Sequence, residues 1–162
     1  MTDLAAWDRF AALLTDDPGV APQVRLAVAD PAGYLAAHED ALLQRGIEEA
    51  DEVEGVVALV DALHGAGEVA YLDWKEEAGE VRAQVAGLPR VRAAGVALDA
   101  AGEGSVEQVA GAISRLLGPA GLVVVQVDEG SDAYPLVAVP ADRLPALVAA
   151  GAAVDVGVRT FG

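Results

Sequence analysis

The spacing of apolar positions changes character about two fifths of the way along the chain. Ahead of residue 68 it follows a helix. Leu4, Trp7, Ala11 and Leu14 recur at helical intervals, and Thr2 or Asp3 is placed to cap that segment. Residues 20–29 carry two patterns. Val24, Leu26 and Val28 alternate as a strand would, but Pro22 and the helical neighbours favour a helix. Asp30-Pro31 is a start signal, a capping carboxylate with proline at the first helical position, and predicts a helix through Leu35, Leu42 and Leu43 to Gly46. The next helix is expected to open on the acids Glu48, Glu49, Asp51, Glu52 and Glu54 and to bury Val53, Val56, Val57, Val60 and Leu63.

Beyond residue 68 the pattern shortens. Residues 68–74 read as a strand, followed by a helix over 77–87. Residues 90–104 look irregular, with a helical turn or a minor strand at 96–98. Ser105 and Gln108 form a capping box for a helix carrying Val109, Ile113, Leu116 and Leu117 inward. Two apolar runs, 122–127 and 134–139, then flank the polar loop 128–133, which is the signature of a hairpin. A helix over 141–150, with a start at Pro145 as the alternative, and a strand over 153–158 complete the pattern. The order from residue 68 is βαββαβ, that of ferredoxin-like folds. The expected fold is therefore α+β: one domain over 1–162, with a helical layer (1–67) packed on a mainly antiparallel four-stranded sheet (68–162) built from residues 69–74, 122–127, 134–139 and 153–158.

Composition adjusts this picture in two ways. The hydrophobic fraction is 54% but aromatics are only 4%, so the core is made of small side chains and needs close helix–sheet contacts. The net charge of −16 is unevenly spread: residues 1–80 hold 18 acids against 4 bases, a balance of −14, and residues 81–162 hold 8 against 6, a balance of −2. A field of that sign repels phosphate backbones and anionic membrane surfaces, so neither nucleic acid nor membrane is expected as a partner. It is what a solvated surface that confers solubility looks like, and it is compatible with a basic partner protein. The chain has no cysteine, which removes disulfides, thiolate catalysis and thiolate-ligated zinc. No basic leader and no membrane-length apolar run is seen, so a cytoplasmic location is the default.

Candidate chemistry is sparse. The run Tyr71-Leu72-Asp73-Trp74-Lys75-Glu76-Glu77 places the only lysine and one of two tryptophans at a strand end, where binding groups commonly sit. Strand alternation would put Asp73 and Lys75 on one face; the alternative is Trp74 in the core with the charges solvated. The loop Asp128-Glu129-Gly130-Ser131-Asp132 offers three carboxylates, but its spacing is not that of a calcium loop and a plain turn accounts for it. Asp61 and His64 are half of a metal-ligand pair and lack the other half, and none of the three serines lies in a nucleophile elbow. No metal and no cofactor is implied.

The YLDWKE run, with Ser131-Asp132-Ala133-Tyr134 and Val139-Pro140 downstream, resembles an uncharacterised bacterial family of small acidic proteins, a domain of unknown function, over most of the chain from about Val56. The resemblance implies no activity. It nominates Asp73, Trp74, Lys75, Asp132 and Tyr134 as positions to watch. Three functions follow in order of preference. The first is a non-enzymatic interaction protein whose acidic half meets a basic partner. The second is a small-ligand or regulatory domain using Asp73, Lys75 and Tyr134. An enzyme with Asp73, Lys75 and Asp132 in a cleft comes last.

Overall fold

A computed structural model describes residues 3–162. Five α-helices precede the first strand: α1 (Leu4–Leu14), α2 (Val20–Ala29), α3 (Pro31–Ala37), α4 (Glu39–Gln44) and α5 (Gly55–Gly65). Asp3 caps α1, its Oδ1 accepting the Ala6 N–H at 3.0 Å, while Thr2 lies outside the described residues. Trp7, Phe10, Ala11 and Leu14 form the buried stripe of α1. Asp30 caps α3 as its sequence suggests, accepting from the Gly33 N–H at 3.1 Å.

Two helical expectations need correction here. The helix from Pro31 to Gly46 is broken at His38, whose backbone leaves the helical region (φ −126°, ψ 31°) while its ring stacks on Tyr34 at 4.3 Å. The acid run does not open α5 either. The Glu52 carboxylate accepts the N–H groups of both Glu48 and Glu49 at 3.0 Å, closing a separate 3₁₀ turn over Ala50–Glu52. Those two bonds hold the Glu52 carboxyl below its usual pKa. The α-helix starts only at Gly55.

Strands β1 (Ala70–Leu72), β2 (Leu122–Val127), β3 (Tyr134–Pro140) and β4 (Val158–Arg159) form one antiparallel sheet in the order β1-β3-β2-β4. Helices α6 (Ala78–Ala86), α7 (Pro89–Ala94) and α8 (Val106–Leu117) lie between β1 and β2, and α9 (Leu144–Ala152) lies between β3 and β4. The segment read as irregular thus contains α7, and residues 96–98 form no strand. The strand expected over 153–158 is reduced to β4, because Asp155 (φ 59°) and the bonds from the Val154 and Val156 N–H groups to the Gly151 carbonyl turn the chain sharply first.

Side-chain alternation divides the core in two. Val125, Val127, Val137 and Val139 face α1, α2, α5 and α9. Leu122, Val124, Leu136 and Ala138 face α6, α7 and α8. The sheet is therefore the middle of three layers, which is why nearly every residue of β2 is buried.

The chain order is βαββαβ, but the ferredoxin-like arrangement is not the one formed. β1 and β2 are both antiparallel to β3, so they run parallel with β3 between them. β3 and β4 are likewise parallel with β2 between them. Parallel crossovers share one hand. A helix on the same face as α8 would return the chain to the free edge of β1, giving the ferredoxin-like order. Because α9 lies on the opposite face, the same hand delivers β4 to the edge of β2. The contact that fixes this face is between α9 and α1. A Cβ on Gly151 would stand 2.7 Å from the Val156 carbonyl oxygen and 3.3 Å from the Phe10 ring, so the packing of α9 against both the turn into β4 and α1 favours a residue without one.

Candidate functional site

The register Leu72↔Tyr134 brings the end of β1 to the mouth of the β2–β3 hairpin. There the chain turns instead of continuing as a strand. Asp73 Oδ1 accepts the Lys75 N–H at 2.9 Å and the Asp73 carbonyl accepts the Glu76 N–H at 3.0 Å. Asp73 and Lys75 are thus paired through a turn rather than by strand alternation. Trp74 is swung out of the core and stands 55% exposed, with Lys75 Nζ 5.1 Å from its ring centroid.

Trp74, Asp132 and Tyr134 line one open cleft of about 550 Å³, together with Gln126, Asp128 and Arg159. Asp73 and Lys75 are not among its lining residues and stand beside it, next to Trp74. Gln126, Tyr134 and Arg159 share the sheet face that carries α8, since Gln126 is opposite Arg159 in the β2–β4 register. The Tyr134 hydroxyl donates to Glu107 Oε1 at 2.7 Å, and this bond, with some burial and the Glu107 charge, raises its pKa. Arg159 Nη2 is 3.5 Å from the same carboxylate oxygen. Gln126 is 5% exposed and its Oε1 is buried with no hydrogen-bond partner among the described residues.

The hairpin loop is built as a turn. Asp128 Oδ1 accepts the Gly130 N–H at 2.8 Å, Ser131 Oγ accepts the Ala133 N–H at 3.2 Å, and Gly130 takes φ 82°. Its three carboxylates do not converge. Asp128 and Asp132 stay at the cleft, while Glu129 turns to the other face, where its side chain is 1% exposed. There Glu129 accepts from Arg45 Nη1 at 3.0 Å, from Ser131 Oγ at 2.8 Å and from the Tyr71 hydroxyl. Arg45 also donates twice to Asp61 Oδ1, at 2.6 and 3.0 Å, and lies 5.5 Å from the Tyr71 ring centroid. Burial works against the Arg45 charge, but the Asp61 bonds and the Asp61 and Glu129 charges outweigh it and raise its pKa. Burial, then the bond to Glu129 and its charge, raise that of Tyr71. Asp61 is therefore committed to Arg45 and not to His64. No group of three or more acidic or histidine side chains suited to a metal occurs among the described residues.

A third feature lies on α3 and α4. Leu35, Leu43 and Ile47 line an apolar groove of about 510 Å³, with Glu39 and Glu48 at its rim. Leu43 is 55% exposed, and Asp40, Glu49, Asp51 and Glu52 are exposed nearby along the chain.

A family model described as Domain of unknown function (DUF6630) matches residues 6–161. The chain belongs to that family. No curated protein and no solved structure matches it. Membership covers nearly the whole chain and brings no activity with it, so a functional reading rests on the geometry above. Sequence reasoning did not single out Gln126, Arg159 or Arg45. A signal existed for Gln126, the one amide in the otherwise apolar run of β2. Arg45 and Glu129 are 84 residues apart, and nothing local announces their contact.

No described helix is long and apolar enough to cross a membrane.

Proposed function

We propose that the chain is a non-enzymatic interaction protein whose acidic helical layer takes a basic amphipathic helix from a partner protein. The observation that carries this reading is Leu43, 55% exposed in the α3–α4 groove. An isolated exposed leucine is ordinary, but one lined up with Leu35 and Ile47 and rimmed by carboxylates is a docking surface. Apolar contact along such a groove supplies affinity, and anchors at helical spacing supply register. Glu39 and Glu48 supply complementarity to lysine or arginine, and the −14 balance of residues 1–80 steers such a partner in. The same charge argues for a partner and against a second copy, since a symmetric contact would press two acidic surfaces together.

A Leu/Lys amphipathic helical peptide, titrated against protein labelled at Leu and Ile methyl groups, tests the proposal. Saturable shifts at Leu35, Leu43 and Ile47, weakening as salt is raised, are expected. Shifts spread evenly over the acidic surface, or equal shifts with a Leu/Glu peptide, would overturn it.

A further inference from the structure

We infer that the cleft at the hairpin mouth is a second binding site, for an organic cation bearing an ammonium or guanidinium group. It stands on different residues from the α3–α4 groove and does not depend on that proposal.

The cleft is lined by an amide whose oxygen nothing among the described residues satisfies. Gln126 is 5% exposed in a strand whose neighbouring residues are all apolar, yet its Oε1 has no hydrogen-bond partner. Buried carbonyl groups are nearly always paired, and one left unpaired is destabilising. The Gln126 amide lines the cleft, so a donor bound there would remove that deficit once the amide turns its oxygen outward. The other groups at the cleft select the charge of that donor. Asp128 gives Oδ1 to the loop turn, which leaves its second oxygen and the Asp132 carboxylate beside the cleft. Trp74 presents an indole ring that is already close to one cation, the Lys75 ammonium at 5.1 Å. Arg159, the one cationic side chain among the described residues that line the cleft, has Glu107 for company at 3.5 Å. At about 550 Å³ the cleft suits a small molecule or the end of one side chain.

Indole and amide mark the class as organic. A divalent metal ion requires several oxygen ligands and gains nothing from a tryptophan ring, whereas an ammonium or guanidinium group uses the carboxylates, the amide oxygen and the ring together. Lys75 then has a role opposite to the one its sequence position suggests. It is not a ligand group but a competing cation at the edge of the site.

The indole N–H resonances of Trp7 and Trp74, one buried and one exposed, report on the site separately. Agmatine and the capped tripeptide acetyl-Gly-Arg-Gly-amide are the two probes, with propionate and calcium chloride at matched ionic strength as controls. A saturable shift of the Trp74 resonance with both cations, and none at Trp7, is expected. Tighter binding of agmatine would make the natural ligand a free amine; tighter binding of the tripeptide would make it a side chain of a partner. Asp132→Asn and Gln126→Leu should each weaken binding roughly tenfold, and Lys75→Ala should strengthen it a few-fold. Asp132 lies in an exposed loop, so its variant folds irrespective of what happens at Gln126. The inference is overturned if neither cation gives a saturable shift, if propionate or calcium moves Trp74 as much, or if Asp132→Asn leaves the affinity unchanged.

Discussion

Arg45 Nη1 lies 3.0 Å from Glu129 Oε2, joining α4 in the helical layer to the loop of the β2–β3 hairpin. The Glu129 side chain is 1% exposed and its carboxylate has no cation other than Arg45 within bonding distance among the described residues. The pair therefore sets the position of the hairpin loop against the helices, and with it the mouth of the cleft where Asp128 and Asp132 stand.

Breaking this pair from one side leaves a buried charge. Arg45→Met should cost about 2–4 kcal/mol, somewhat below a fully buried pair because Arg45 retains 20% side-chain exposure. Arg45→Met combined with Glu129→Gln should cost less than the sum of the two single changes. A double-mutant cycle by urea unfolding checks this.

Alkaline pH should destabilise the protein through its tyrosines. Burial, reinforced by the Asp61 charge, pushes the Tyr34 hydroxyl up to about 12 from 10.0. The unfolded chain releases that proton first, so stability is complete below pH 10 and falls as the pH rises towards 12. The loss from Tyr34 is at most about 3 kcal/mol. Tyr71, also raised, adds to it in the same direction. Urea midpoints between pH 9 and 11 should decline in the wild type, and less steeply in Tyr34→Phe.

Gly151→Ala should destabilise by about 1–3 kcal/mol. The added Cβ would stand 2.7 Å from the Val156 carbonyl oxygen, a backbone atom held by the turn into β4. Thermal unfolding measures the loss. An unchanged midpoint would mean that the α9–β4 turn yields easily and does not fix β4 beside β2.

Gln126→Leu should do the reverse. It removes an unpaired buried acceptor and keeps a side chain of similar size, so stability should rise by about 1 kcal/mol. A residue whose replacement stabilises the fold and weakens cation binding would separate function from packing at that position.

Most helices and the two hairpin strands were readable from the apolar pattern, but the expected single helical layer was not what formed, since α6, α7 and α8 cover the second face of the sheet. The Asp30 cap, the Ser105–Gln108 box and the two hairpin strands are local features with local causes. Strand order was not readable, because it depends on α9 choosing the face occupied by α1, a contact between residues more than a hundred apart. The length of β1 was misjudged for a different reason: Asp73 competes for the backbone by bonding the Lys75 N–H, and hydropathy does not register that bond. At the cleft, Trp74, Asp132 and Tyr134 were legible as unusual residues at element ends. Gln126 and Arg159 join them only through the register of β2 with β4, and Glu129 leaves them through a partner 84 residues away.

Calorimetric titration of the Leu/Lys peptide into the wild type and Leu43→Asp decides whether the proposed α3–α4 groove binds a basic amphipathic helix through its apolar residues. Leu43 is exposed, so the substitution should leave stability within about 0.5 kcal/mol. It also adds a negative charge, so binding by charge alone would tighten. Apolar docking at Leu43 should show as a loss of affinity of roughly tenfold or more, about 1.4 kcal/mol. Unchanged or tighter binding would contradict it.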